Sequence, residues 1–294
     1  MPAADVGSAT VDLVAEHSLP VPLTLLTKDR ELIGRCVASL PDGFLDPSTM
    51  NFRFSNHSWV VRVDGITVLV DPGTGNGRKG RGPYFDDLEV PYLERLAALG
   101  VSPEEVDVVF STHLHHDHCG WNTRLDAGAW VPTFPNAEYV IVREEYERWD
   151  TDRPEPHPNT FNPDVFDECV RPVVAAGRAR IVRAPYEVSS SLTVEPAPGH
   201  TDGHAILRLD SDGRRAYFTG DAFHHPVQMT RPELHLPGCD EPEAAVATRR
   251  DLVARALAEG ALLFPAHFPE PHYGSLATDG DEVVFVPAAP PPGA

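Results

Sequence analysis

Within six positions, from His113 to His118, the chain places four imidazoles and one carboxylate, in the run Thr112-His-Leu-His-His-Asp-His-Cys-Gly120. A single histidine is more often a solvated side chain than a ligand, but a cluster this dense is most simply a metal site. If the chain leaves a strand still extended, His113 and His115 project to one side by the two-residue period, while Asp117 and His118 can turn toward a second point nearby. Three later segments set the same donor types beside residues that bend the backbone: Pro198-Gly-His-Thr-Asp-Gly-His204, Thr219-Gly-Asp-Ala222 and Pro265-Ala-His-Phe-Pro269. Each is weak alone, and all sit where a strand is expected to end. A set of His and Asp donors without thiolate suits Zn²⁺ in a catalytic role, and also Mn²⁺, Fe²⁺ or Co²⁺.

Such donors need strands that stop beside them. Residues 57–70, HSWVVRVDGITVLV, are two runs rich in Val and Ile broken by Asp64-Gly65, and they predict an antiparallel hairpin. The second run stops at Asp71-Pro-Gly-Thr-Gly75, where Asp71 reads as an acceptor that orients a ligand histidine. Helices are predicted over Pro91–Leu99 before Gly100, over a capped turn at Ser102-Pro-Glu-Glu105, from about Asn162 to before Gly177, and over Pro242–Glu259 before Gly260. The run VDVVFST that leads into His113 predicts a buried central strand. Further strands are predicted at Glu138–Val142, Ala179–Val182, Leu192–Val194, Ala205–Leu209, Ala216–Thr219 and Ala261–Phe264. Thr123–Asn136 and Trp149–Asn159 read as long loops.

The 294 residues, 41% hydrophobic and 23% charged, suffice for a sizeable core and exclude a disulfide-stapled miniprotein or a disordered chain. Cys36, Cys119, Cys169 and Cys239 form no C-x-x-C pair and read as reduced thiols. A net charge of −20 makes nucleic acid and anionic membranes poor partners, and no apolar run is long enough to span a bilayer. With no signal-peptide pattern at its start, the protein is read as cytoplasmic. The expected organisation is one domain over residues 1–286, with an extension of about 50 residues before the first strand and a disordered Pro-rich tail at 287–294. That extension could cover a pocket or form a homodimer contact, and nothing in it is diagnostic.

The order H-x-H-x-D-H at His113, His115, Asp117 and His118, followed by the G-H-T, G-D and A-H-F elements, resembles the metallo-β-lactamase superfamily from about His57 to His267. The resemblance implies an α+β fold, the αββα sandwich, with two mixed β-sheets packed face to face and helices on the outer faces. It implies that His113, His115 and His200 hold one divalent ion and Asp117, His118 and His267 a second, with Asp221 bridging. Among relatives the chain looks closest to the acyl-homoserine lactonases and the methyl parathion hydrolases. Many lactonases carry a tyrosine three residues after the bridging Asp; here that position is His224, followed by His225-Pro-Val-Gln228, more as on the parathion hydrolase side. His224 is then either a donor to a developing oxyanion or leaving oxygen, or a side chain that packs beside the metals.

Two divalent ions, two carboxylates and a bridging hydroxide leave a small positive excess, a centre suited to meet an anion. The expected reaction is hydrolysis of a lactone or small carboxylic ester, with Asp117, Asp221 and His224 as the catalytic residues. A phosphotriester or thioester hydrolase on the same site, and a non-catalytic metal-binding scaffold, are the alternatives. A nuclease is disfavoured by the acidic balance, a glutathione thioesterase by the short chain after His267, and redox relatives by His115, where they carry an acid. His116 and His204 are expected to point away from the metals, and Cys119 to be a buried thiol. His57, His272 and Tyr273 are placed near the pocket mouth, and Trp121, Trp130, Phe134, Phe223 and Phe268 are candidates to line it.

Overall fold

The computed structural model describes residues 4–29, 31–34, 40–154, 162, 164–280 and 282–289, and over them the chain lays down two sheets in succession. The first takes β1 (Ala4–Val6), β2 (Ala9–Pro22), β3 (Asn51–Val63), β4 (Ile66–Val70) and β5 (Val108–Phe110). A separate hairpin of β6 (Thr123–Asp126) and β7 (Ala129–Pro132) intervenes before β8 (Glu138–Val142) and β9 (Ala179–Val182) complete that sheet. The second holds, in order, β10 (Tyr186–Glu187), β11 (Leu192–Pro196), β12 (Ala205–Ser211), β13 (Arg214–Gly220), β14 (Leu262–Pro265), β15 (Gly274–Asp279) and β16 (Glu282–Pro287). Both sheets are mixed, with β4, β5, β8 and β9 mutually parallel in the first and β13 parallel to β14 in the second.

Alternation along the strands decides which layer each side chain joins. Val108 and Phe110 of β5 pack with Trp59, Val61, Leu207, Phe218 and Phe264 between the sheets. Val109, one residue out of phase, faces the opposite way onto α1 (Tyr92–Ala98), beside Tyr92 and Leu96. In the second sheet Phe218 points inward, and Tyr217 packs outward with Leu252 and Ala256 of the long C-terminal helix, Pro242–Glu259. The result is the expected αββα sandwich, and the strand pattern is compatible only with this register because a one-residue slip would exchange the two faces. Asp64 and Gly65 adopt φ of 54° and 77° in the turn between β3 and β4, and the Ser102 capping box forms.

Two stretches differ from the sequence expectation. Residues 4–22, read as part of an extension, are built into the first sheet, where β2 pairs with β3 along nearly its whole length. Thr123–Asn136, read as a loop, contains the β6–β7 hairpin, whose turn places Ala127 and Gly128 at φ of 49° and 84°. Of the stretch read as the second loop, residues 155–159 lie outside the described residues, as do Cys36 and, in the tail, residues 290–294; Pro287 ends β16.

Glu16, in β2, fixes the first sheet to the loop after β4. Its buried carboxylate accepts hydrogen bonds from the N–H of Thr74 (2.8 Å), the N–H of Gly75 (2.9 Å) and the indole N–H of Trp121 (2.7 Å). Burial raises this carboxyl, but His17 and the two backbone donors outweigh it and hold it below its ordinary value. A carboxyl depressed on folding stabilises above its unfolded pKa, and that contribution is lost as the pH falls through the folded value. Glu16→Gln should therefore lower Tm at pH 7, and the gap from the wild type should close as the pH is taken below about 4; a gap that stays constant with pH would contradict this role.

Candidate metal centre

All but one of the donors named from the sequence follow the end of a strand. Asp71 follows β4, the run from His113 follows β5, Asp221 follows β13 and His267 follows β14, so the carboxyl ends of two parallel strand pairs, one per sheet, meet at one edge of the sandwich. His200 lies on the connection between β11 and β12. The run from His113 does not leave β5 extended: the strand ends at Phe110 and the backbone bends at Thr112 and His113 before His115, which is extended, leads into α2 (His116–Cys119), a single turn that carries Asp117 and His118. At Gly220 the backbone takes φ of 47°, and a Cβ there would meet the Thr112 hydroxyl at 2.5 Å, so only glycine lets Asp221 come this close to the β5 loop.

The structure brings all seven residues together in two groups. His113, His115, His200 and Asp221 form one, and Asp117, His118 and His267 the other, the donor atoms in each lying within 4.8 Å of one another. Asp221 divides its oxygens between them. Oδ2 lies 3.2 Å from His200 Nε2 and 3.8 Å from His113 Nε2, whereas Oδ1 lies 2.9 Å from His267 Nε2 and 3.2 Å from His118 Nε2. His115 Nδ1 and His200 Nε2 are 3.0 Å apart, and the Nε2 atoms of His118 and His267 are 3.1 Å apart. Asp117 approaches from the second side, 3.8 Å from His118 Nε2 and 3.7 Å from His267 Nε2.

The far sides of three of the rings, those of His113, His118 and His267, lie against other groups, which fixes their orientation. Asp71 Oδ2 is 3.1 Å from His118 Nδ1, and the same carboxylate accepts the Thr112 N–H (2.7 Å) and hydroxyl (3.0 Å). The Thr112 hydroxyl is in turn 3.1 Å from His113 Nδ1. The Ser55 carbonyl accepts from His267 Nδ1 at 3.1 Å, and Phe54 stacks on the His267 ring with centroids 3.8 Å apart. Asp71 thus takes the orienting place expected of it. Ser55, Phe54 and, on the first group, Glu145 carry no sequence signal: a serine in a strand and a glutamate in the helical run REEYERW look like many others.

Electrostatics favour a cation here. Burial drives His113 and His200 well below the ordinary imidazole range and His115 down to about 3, so the three rings present neutral lone pairs. At His118 burial acts in the same direction, but Asp221, Asp71 and Asp117 overwhelm it and hold positive charge far more firmly than usual. Burial raises Asp221, yet the surrounding imidazoles drive it well below the carboxylate range. His113 Nε2 and Asp221 Oδ1 are buried without a hydrogen-bond partner, although both face the cluster. Converging lone pairs, buried acceptors and a field that stabilises positive charge are what two divalent ions would need.

Above the cluster lies a cavity of about 250 Å³. Its floor is formed by His115, His116, Asp117, His200, Asp221 and His224, and its walls by Leu19, Val21, Leu25, Phe54, Phe85, Leu236 and Pro237. None of the five aromatics proposed from the sequence lines it. Trp121 stacks on Tyr92 and packs with Phe134 outside the first sheet, Trp130 lies under Arg78, and Phe223 and Phe268 belong to the core beneath the second sheet. His57 is likewise in the interior, its ring nitrogens beside the Ser55 hydroxyl and the Pro265 carbonyl, and His272 and Tyr273 pack near it and Trp59. These placements follow from the N-terminal strand: β2 supplies Leu19 and Val21 to the wall that the aromatics were expected to form.

His204 turns away from the donors, its Nδ1 at the Ala197 carbonyl and its Nε2 accepting the Asp221 N–H. His116, whose ring packs against Phe85, does lie on the cavity floor. Cys119 is buried as a free thiol. His224 Nε2 is 3.1 Å from Asp221 Oδ2. Gln228 accepts the N–H groups of His224 and His225 and donates to the Leu234 carbonyl, which also receives Arg249, so the loop bearing His224 is anchored from behind. No helix among the described residues is long and apolar enough to cross a membrane.

Residues 52–267 match the sequence model of the Metallo-beta-lactamase superfamily. An N-acyl homoserine lactonase of Bacillus sp is 25% identical over 74% of this chain and 82% of its own length. One from Bacillus cereus is 25% identical over 64% of this chain, and the match spans 65% of that relative. Among solved structures, AidC, a dizinc quorum-quenching lactonase in complex with a product, superposes with a TM-score of 0.75 at 18% identity, over 97% of this chain and 96% of that one. The hydrolase AbOPH superposes with a TM-score of 0.76 at 24% identity, over 97% and 96%.

The carboxylate of Asp71 should matter even without metal. Asp71→Ala strands the Thr112 N–H, the Thr112 hydroxyl and the His118 ring in the interior, and should cost about 3 kcal/mol in urea unfolding followed in the presence of a chelator. An unchanged unfolding midpoint would show that these groups find other partners.

Proposed function

The chain belongs to the metallo-beta-lactamase superfamily and is a metal-dependent hydrolase, and from that premise we propose that it binds two divalent ions and opens a lactone or cleaves a small carboxylic ester. The observation that carries this reading is the division of Asp221 between the two donor groups, one oxygen toward each. His113, His115 and His200 would hold one ion, Asp117, His118 and His267 the other, with Asp221 shared; zinc fits the donor set, as do manganese, iron and cobalt. When bound, such a pair supplies a water ionised near neutral pH and polarises the oxygen of the bond under attack.

The residues of this chain account for the rest. The cavity walls are apolar, and among the described residues no Lys or Arg lines it, which favours a neutral substrate with an apolar group over an anionic one. The positive excess expected from the sequence then acts on charge that develops during the reaction, where stabilisation raises the rate. A neutral His224 directs its Nε2–H at Asp221 Oδ2 in the resting site. From that place it would turn to donate to the oxyanion or the departing oxygen.

A second reading, hydrolysis of a neutral phosphotriester, is favoured by His224 at the position where many lactonases have tyrosine, and the same apolar cavity would accept it. The reading as a non-catalytic scaffold has no support from the intact donor set. Lactones, aryl esters, thioesters and phosphotriesters assayed with metal-loaded protein separate these readings, and a chelator should abolish the activity. Asp221→Ala should remove bound metal and activity together. His224→Ala should keep metal content and lower kcat by about 10²-fold; unchanged kcat would reduce His224 to packing, and a protein that binds no metal would overturn the proposal.

A further inference from the structure

The first donor group is braced by a carboxylate outside it. Glu145 lies in α3 (Arg143–Trp149), is buried, and faces the back of the β5 loop. Its Oε2 accepts the Leu114 N–H at 2.9 Å and the Trp149 indole N–H at 2.9 Å, and its Oε1 accepts the Thr201 hydroxyl. Leu114 sits between His113 and His115, and Thr201 follows His200. Trp149, fixed by the same oxygen, packs its ring edge-on to His115 with centroids 5.7 Å apart. All three imidazoles of the first group are thus tied, through a neighbour in the chain or a ring contact, to one side chain.

The surroundings show that this contact is built in. Asn162 donates to the Leu114 carbonyl at 2.6 Å, so both backbone polar atoms of that residue are held from outside the loop. Gly203 approaches the start of α3 so closely that a Cβ would lie 2.4 Å from the Glu145 N. The His200 loop is therefore pressed onto the helix that carries the carboxylate. The second group draws its support from elsewhere, His118 from Asp71 and His267 from the Ser55 carbonyl.

We infer that Glu145 is a positioning residue that spans the His113–His115 and His200 loops and sets the geometry of the first metal position without touching the ion. This rests on reading the cluster as a two-metal centre. Reach, rather than charge, is what the contacts require. Glutamine keeps an oxygen for the Leu114 and Trp149 donors and offers an N–H₂ to the Thr201 hydroxyl, which can accept. Aspartate keeps the charge but is one methylene too short to meet both loops.

Ions retained per chain after dialysis against a weak chelator, with the visible spectrum of Co²⁺-loaded protein, test this on Glu145→Gln, Glu145→Asp and Glu145→Ala. The wild type should hold two ions. Glu145→Asp and Glu145→Ala should bind one of them about 10- to 100-fold more weakly. The ion that stays should give a spectrum complementary to that left in Asp117→Ala. Glu145→Gln should bind both ions within about threefold of the wild type, a margin below 1 kcal/mol. If Glu145→Ala fails to fold, the Gln and Asp variants carry the comparison. The inference is overturned if Glu145→Asp retains both ions normally, if both ions weaken together in step with Tm, or if Glu145→Gln falls as far as Glu145→Asp. A wild type that binds no ion would instead overturn the two-metal reading, and this inference with it.

Discussion

Five imidazoles and two carboxylates share one buried volume, and their mutual electrostatics constrain everything around them. Ring nitrogens of two pairs face each other at 3.0 and 3.1 Å, and both oxygens of Asp221 look into the cluster. Without metal each pair can share only one proton between its facing nitrogens, one ring donating N–H to the other's lone pair; a second proton would set two like charges side by side, and none would leave two lone pairs opposed. The buried carboxylates, Asp71 among them, supply the negative field that offsets positive charge at the centre. A protein can sustain such a cluster only on a stiff frame, because each group relaxes away from its neighbours if given room.

The sandwich supplies that stiffness in a simple way. Parallel strands in each sheet deliver their carboxyl ends to one edge, and there the chain bends tightly instead of entering a flexible loop. Asp71 has φ of 50° directly after β4, and Gly220 brings Asp221 against Thr112. Cross-links then run between the sheets: Ser55 of β3 donates its N–H to the His267 carbonyl and accepts from the ring of the same residue. Tethering a candidate donor at both backbone and side chain leaves it little freedom to follow its own electrostatic preference.

What the sequence revealed and what it hid divide along the same physical line. The donors were legible because their types are rare in such density, and the strands beside them because short continuous runs of Val and Ile mark strands buried on both faces. The β2 strand was hidden because it breaks the pattern: Ala15, Glu16 and His17 straddle a bulge, Pro20 and Pro22 interrupt the run, and a buried glutamate occupies a core-facing position. The β6–β7 hairpin turns on Ala127-Gly128, a pair without the Asn or Asp that marks such turns. The cavity walls were misassigned for a related reason. Aromatics adjacent to the motifs in sequence fill the layers behind them, whereas the wall residues Leu19 and Val21 come from a strand far back in the chain. Glu145 lay out of view because its meaning depends wholly on which loops approach it.

The two halves of the centre are not equivalent. The first group is three neutral imidazoles and one shared carboxylate oxygen; the second adds Asp117 and has Asp71 behind His118. A more anionic donor set holds a divalent ion more strongly and suits a harder cation, whereas an imidazole-rich set relies on geometry to be selective. Asp221, with one oxygen toward each group, would on the proposed reading couple the two positions through a single carboxylate. The cavity opens over this asymmetric floor with His224 beside the oxygen of Asp221 that faces the imidazole-rich side. On the proposed reading, a substrate entering between apolar walls would meet unequal partners: the side with least negative charge, next to His224, is where an oxygen gaining charge would be best placed, and the carboxylate-rich side would anchor the centre.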